Sequence, residues 1–333
     1  MVEAAARGTG AVTAPGKDVV MNRNVILMGA GASYGSEAVG VRVPPLGAGL
    51  FDELCAFSGN LWGALPPPYP DRFRVDFEEA FGQLAADSPS PLSAGFSPTA
   101  SYPAHLTGPL LRKMAEFFLQ FEPTPDSLYS KLAQRIRDSV WPGAVASLNY
   151  DLLLQIALER AGLVASPWDK GRHSGVYLPH GCCALLLEPG RIEGQATLVG
   201  IGNRIRTPVI FVRDTSVARA RLQSEFVPPA MAYYEPSKTA VTAPDFLDTQ
   251  KSYLSEAVTG ADVVLIVGAQ VRERDTHIWN PLGGTRATLV YCSPEVNGFR
   301  EWSRRCRPGR SDVVLDSTFQ KKFDEICAHL GIA

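Results

Sequence analysis

Asn24-Val25-Ile26-Leu27-Met28 runs without a break into Gly29-Ala30-Gly31-Ala32-Ser33, and this stretch decides how the rest of the chain is read. A short, nearly continuous apolar run marks a strand buried on both faces, as in a parallel sheet. Glycine directly after the strand lets the backbone approach an oxyanion, and a helix starting there turns free N–H groups toward it. The stretch therefore predicts strand, glycine turn and helix, the opening unit of a doubly wound α/β fold. Two features of the dinucleotide fingerprint are missing. Tyr34 stands where its third glycine belongs, with Gly35 one place late, and no well-placed acidic strand end follows to grip a ribose. Gly-x-Gly by itself also fits a plain tight turn.

Working outward, Ala144 to Leu148 predicts a second buried strand, Val176 to Leu178 a third, and Ala261 to Val267 the clearest of all. Ala287 to Cys292 and Val313 to Leu315 add two more. Apolar spacing of three and four predicts helices over Gly49–Phe57, Asp76–Leu84, Pro109–Phe121, Ser127–Ser139, Leu152–Ala161, Phe246–Thr259 and Thr318–Leu330. Residues 58 to 72 and 86 to 103, rich in Pro with Gly or Ser, read as loops. Strands alternating with helices give an α/β fold, a Rossmann-like doubly wound parallel sheet. Its expected organisation is a loose arm over 1–20 and one domain over 21–333. That domain carries a helical insertion over about 60–140 and an irregular β-rich segment over about 182–245.

Composition narrows the classes. The 333 residues are 45% hydrophobic and 20% charged, with 32 Lys plus Arg against 34 Asp plus Glu. That balance is ordinary for a globular protein and shows no excess of base that would signal direct nucleic-acid binding. Arg304, Arg305, Arg307 and Arg310 read as a solvated surface patch. Cys55, Cys182, Cys183, Cys292, Cys306 and Cys327 form no C-x-x-C pair, so no metal is expected, and adjacent Cys182 and Cys183 read as packing. Scattered reduced thiols, no signal-peptide core and no membrane-length apolar run suit a cytoplasmic protein off the membrane.

In an open α/β sheet the ligand lies beyond the carboxyl ends of the strands, where strand order reverses. Four expected strands end in polar or glycine clusters: Gly29 to Ser33, Asn149-Tyr150-Asp151, His180-Gly181 and Gly268-Ala269-Gln270. Asn149 also suits a strand-end turn, His180 a structural hydrogen bond, and Asp275 with His277 a surface loop. These clusters carry a family resemblance. GAGAS at 29–33 looks like the GAG-x-S opening of sirtuins. SLNYD at 147–151 resembles the T-x-N-Y-D of their bacterial sirtuin-like branch, LPHG at 178–181 its K-L-H-G, and GAQVRERDTHI at 268–278 its G-Y-S-x-x-x-x-D-x-H-I. All four occur in the family's order.

The resemblance implies an NAD site in which Gly29, Ala30, Gly31 and Ser33 hold the pyrophosphate. Asn149 and Asp151 face the nicotinamide ribose and ring, and His180 is the base. The adenosine ribose lies near Gly268 and Ser293, with Gln270 and Asp275 on the same side. The chemistry is coherent with those residue types. Nicotinamide leaves NAD as a neutral base from a cationic precursor, so no general acid is required. The site must orient the substrate, steady an oxocarbenium-like sugar and activate a hydroxyl or water. Deacylating sirtuins carry two Cys pairs after the His-Gly, and this chain has only Cys182 and Cys183 there. Ala269-Gln270 replaces Tyr-Ser, Pro179 a leucine, and Gln155 a frequent Glu.

The resemblance accordingly implies an NAD glycohydrolase of bacterial antiphage defence, NAD being substrate rather than cofactor. It implies a homo-oligomer and a partner encoded nearby, such as a DNA-translocating ATPase or a short Argonaute-like protein. An NAD-dependent protein deacylase and a noncatalytic ADP-ribose or nucleotide sensor are the alternatives. A hydride-transferring oxidoreductase is the weakest reading, because the fingerprint is incomplete.

Overall fold

A computed structural model describes residues 24–38, 40–87, 106–163, 176–189, 205, 208–232 and 242–332. The expected arm over 1–20, and most of the expected connection over 86–103, lie outside these residues. The chain opens with β1 (Asn24–Met28), α1 (Ala30–Tyr34) and α2 (Gly47–Phe57). A single 3-10 turn (Trp62–Ala64) precedes α3 (Tyr69–Val75), α4 (Phe77–Ala86), α5 (Thr107–Phe118) and α6 (Leu128–Asp138). Next come β2 (Ala144–Ser147), α7 (Leu153–Arg160), β3 (Val176–Tyr177), β4 (Leu185–Leu187), β5 (Val209–Phe211) and α8 (Thr215–Ser224). The remainder is α9 (Pro244–Thr259), β6 (Val263–Val267), α10 (Thr276–Gly284), β7 (Thr288–Ser293), α11 (Asn297–Cys306), β8 (Val313–Asp316) and α12 (Phe319–Leu330).

Six strands form one parallel sheet in the order β3-β2-β1-β6-β7-β8. Taken in chain order within that sheet this is 3-2-1-4-5-6, the doubly wound Rossmann-like arrangement, with its switch point between β1 and β6. Side chains alternate across the sheet. Ile26, Met28, Leu265 and Val267 face one core with α6, α7 and α12, while Val25, Leu27, Val264 and Ile266 face another with α9, α10 and α11. Both faces are covered, which is why the strands read as unbroken apolar runs. β4 and β5 pair antiparallel, apart from the main sheet.

Between β1 and β2 the helices extend the first of these cores with packed aromatic rings. Phe51 and Phe73 stack at 5.3 Å, and Trp62 meets Phe73 at 5.4 Å and Phe77 at 5.6 Å. This corrects the loop expected over 58–72. The prolines there sit before α3 and in its first turn, where a missing N–H costs nothing. Tyr69 and Phe73 then bury themselves from the helix that follows. Three further helices were not legible in advance: α8, capped by the Asp214 carboxylate, α10 and α11.

The arginine patch is also corrected. Arg304 and Arg305 are exposed, but the Arg307 side chain is 1% exposed and pairs with an Asp312 that is 4% exposed. Its guanidinium donates to both Asp312 carboxylate oxygens and to the carbonyls of Leu282, Thr285 and Ala287. A single side chain thus ties the end of α10, the start of β7 and the turn before β8. Among the described residues no helix is long and apolar enough to cross a membrane.

Candidate active site

The switch point is closed by glycine. Gly29 N–H donates to Val267 O at 2.9 Å, Gly31 N–H to Gly268 O at 2.8 Å, and Gly268 N–H to Cys292 O at 2.9 Å. Gly268 has φ +63, and a Cβ there would lie 2.1 Å from the Ala32 nitrogen. A Cβ on Gly29 would lie 2.6 Å from Ala269 Cα. The ends of β1 and β6 therefore touch backbone to backbone, and these glycines permit it. The N–H groups of Gly29 and Gly31, the expected pyrophosphate residues, donate to the carbonyls of Val267 and Gly268. Ala30, exposed at the start of α1, is the member of that turn that faces outward.

Asn149 follows directly from this turn. It is 6% exposed at the end of β2, and its Nδ2 donates to Gly29 O at 3.1 Å and to Ser33 Oγ at 2.9 Å. A carbonyl only accepts, so the amide can be oriented one way only: nitrogen inward, Oδ1 outward. Ser33 Oγ also meets the Tyr129 hydroxyl, from α6, at 3.1 Å, and Ser33 is 1% exposed. Ser33 thus supports Asn149 from behind.

Asp151, 3% exposed, accepts from the Leu153 N–H at 3.0 Å. Burial pushes its carboxyl from an ordinary 3.8 up to about 6, against the pull of the Leu153 N–H and the Ser33 hydroxyl. The folded chain therefore keeps this proton to higher pH than the unfolded chain does. The resulting penalty is absent below pH 4, grows as pH rises toward 6 and is complete above it. Asp151→Asn should accordingly be more stable than the parent at pH 7.5, by up to about 3 kcal/mol, and equal to it near pH 4. Urea unfolding at the two pH values checks this. A variant less stable at pH 7.5 would mean that the carboxylate is held by favourable partners.

His180 is 4% exposed after β3. Gly181 has φ +72, and a Cβ there would come 1.8 Å from Ala230 O, so only glycine lets the chain at 229–232 lie against the turn. His180 O accepts from the Ala232 N–H at 2.8 Å, and the Tyr150 hydroxyl donates to Ala232 O. The imidazole Nδ1 is 3.3 Å from Leu148 O, and Nε2 is 2.9 Å from Nε2 of His277. Leu148 directly precedes Asn149, so β2 and β3 deliver the amide and the imidazole to one place.

The other expected residues divide. Asp275, 7% exposed, sits just before α10 and two residues from His277. Gln270, exposed, lines a cleft of about 340 Å³ with Tyr291, Glu295, Asn297 and Asp316, beyond the ends of β6, β7 and β8. Ser293 turns inward beside it, its Oγ accepting from the Glu295 N–H at 3.1 Å. Asn149, Asp151 and His180 thus form one cluster, while Gln270 lies apart at the cleft just described, with the segment 268–277 running from the switch point to His277. Sequence reasoning missed Tyr129, whose hydroxyl is buried 96 positions away from Ser33 with no local signal. It underrated His277, whose place in the D-x-H-I pattern was the available sign.

Burial raises the Cys182 thiol to about 12 and the Cys183 thiol well above the usual range, so both stay protonated as packing groups. Among the described residues no cluster of His, Cys, Asp and Glu is arranged to hold a metal.

No family model matches the chain, and no curated protein matches it. Among solved structures, a Sir2 homolog in complex with NAD aligns at a TM-score of 0.44 and 16% identity, covering 93% of this chain and 90% of that one. A mutant Sir2 homologue in complex with ADP-ribose aligns at 0.40 and 16%, covering 92% and 91%.

Proposed function

We propose that this chain is an NAD glycohydrolase, converting NAD and water to nicotinamide, ADP-ribose and a proton. The observation that carries the reading is the fixed amide of Asn149. Both of its N–H groups are held from behind, and its Oδ1 is left to accept from a ribose hydroxyl or a water. Asp151, ionised above about pH 6, supplies negative charge where a sugar cation would develop. His180 is the candidate acceptor for the proton that water or a hydroxyl must lose. The cleft at Gln270 and Asp316 offers room for the adenosine end, with carboxylates suited to ribose hydroxyls. The four motifs shared with the sirtuin-like branch support the same assignment.

The same resemblance supports a role as a cytoplasmic effector of antiphage defence that stops growth by depleting NAD, acting as a homo-oligomer with a separately encoded sensor. Incubation with NAD, followed by mass spectrometry, should show nicotinamide and ADP-ribose in equal amounts with no peptide present. Nicotinamide release that requires an acetylated peptide and yields O-acyl-ADP-ribose would overturn the hydrolase reading in favour of acyl transfer.

A further inference from the structure

The geometry points to His277 as a cap on the candidate base: it occupies the one nitrogen through which His180 would work, so hydrolysis requires the first turn of α10 to withdraw. This rests on the hydrolase reading above. The argument is a count of lone pairs. A neutral imidazole has one N–H and one accepting nitrogen. Nδ1 of His180 lies 3.3 Å from Leu148 O, which can only accept, so Nδ1 bears the proton and Nε2 the lone pair. That lone pair faces His277 Nε2 at 2.9 Å, a distance that only a hydrogen bond explains, so His277 donates into it. In the opposite tautomer Nδ1 would turn a lone pair onto the Leu148 carbonyl, and Nε2–H would be the donor to His277. As imidazolium, His180 has no lone pair at all. In no protonation state is a nitrogen of His180 open to a substrate proton.

The cap also covers the base physically. His180 is 4% exposed whereas His277 is half-buried, and the rings meet edge-on at 5.1 Å between centroids. What holds His277 there is the segment leading to it. Arg272 pairs with Glu78 at 3.1 Å and Asp76 at 3.5 Å, and Arg274 pairs with Glu79 at 3.0 Å. All three acids belong to the start of α4, where the Asp76 carboxylate already caps the helix. The pairs are partly solvated, hence of modest strength and able to part. The helices between β1 and β2 thus have a direct hold on the base through the segment 272–277. A protein partner or second subunit that displaced α4 would release it.

Diethyl pyrocarbonate acylates an unprotonated, accessible imidazole nitrogen, so peptide mapping after brief treatment reads the state of His180 without reference to catalysis. His277→Ala should raise His180 modification at least tenfold and nicotinamide release from NAD by a similar factor. Arg272→Gln with Arg274→Gln, which leaves His277 and its packing in place, should raise both by a smaller factor. Faster modification with no NAD cleavage in any form would uphold the cap and defeat the hydrolase reading. Unchanged modification of His180 in the properly folded variants would overturn the cap. Loss in His277→Ala of a nicotinamide release that the parent shows would also overturn it, since His277 would then be a working part of the reaction.

Discussion

Asn149→Ala should lose nicotinamide release by at least about a hundredfold while the fold persists, because the amide contributes little to the core and, in the proposed reaction, much to the reacting sugar. Its two donated bonds end on Gly29 O and Ser33 Oγ. Gly29 O keeps the Ala32 N–H at 2.9 Å, and Ser33 keeps the Tyr129 hydroxyl, so neither is orphaned by the change. The structural cost is therefore that of one or two net hydrogen bonds, about 1–2 kcal/mol. In the proposed reaction the other end of the amide matters, where Oδ1 has no substitute. Turnover of NAD by the purified variant, measured alongside its thermal midpoint, tests both halves. Turnover close to the parent's would remove Asn149 from the reaction and with it the proposed mechanism.

The largest stability effect belongs far from the site. Arg307→Ala should destabilise the chain by about 3–5 kcal/mol, because it leaves the buried Asp312 carboxylate with only the Ser303 hydroxyl and the Leu289 N–H and no cation, and takes the guanidinium from three carbonyls at once. Every N–H of the guanidinium is engaged: two on Asp312 and three on Leu282, Thr285 and Ala287. Arg307→Lys should recover only part of this, since an ammonium cannot reproduce the planar fork. Exposed Arg304→Ala, two helical positions before the end of α11, serves as the control and should shift stability by less than about 0.5 kcal/mol. Denaturant unfolding of the three variants checks the ranking. Equal midpoints for Arg304→Ala and Arg307→Ala would mean that the buried fork contributes nothing net.

These cases show where sequence is informative. The strands were legible because burial on both faces leaves nothing but apolar residues, as in Val25 to Met28 and Val263 to Val267. The strand-end residues Asn149, Asp151 and His180 stood out because a polar group directly after such a run has no core reason to be there. Helix α3 is hidden in the sequence because its prolines signal a loop, although the residues that anchor it are Tyr69 and Phe73. Arg307 was hidden because an arginine among arginines looks solvated until Asp312 and three carbonyls are brought to it. Tyr129 and the engagement of His180 by His277 are pairings across 96 and 97 positions, and no local pattern encodes them. The glycines of the first turn answer a packing need of their own. Their lack of a side chain fits β1 against β6 as much as it suits an anion.

That contact between β1 and β6 also sets a timetable for the chain as it is made. β1 is central in the sheet, yet its two neighbours are β2 and β6, and Asn24 finds its partner only at Val263. The aromatic helices that follow β1 can assemble early from residues close in sequence, whereas one edge of β1 stays bare until β6 leaves the ribosome. Pairing over such separations is slow, and an open apolar strand edge invites the edges of other chains. A chain stopped anywhere between β4 and β6 would carry all the helices between β1 and β2 around a sheet with one side open. The half with Asn149, Asp151 and His180 would then be present, without the Gly268 backbone that closes the turn beneath it.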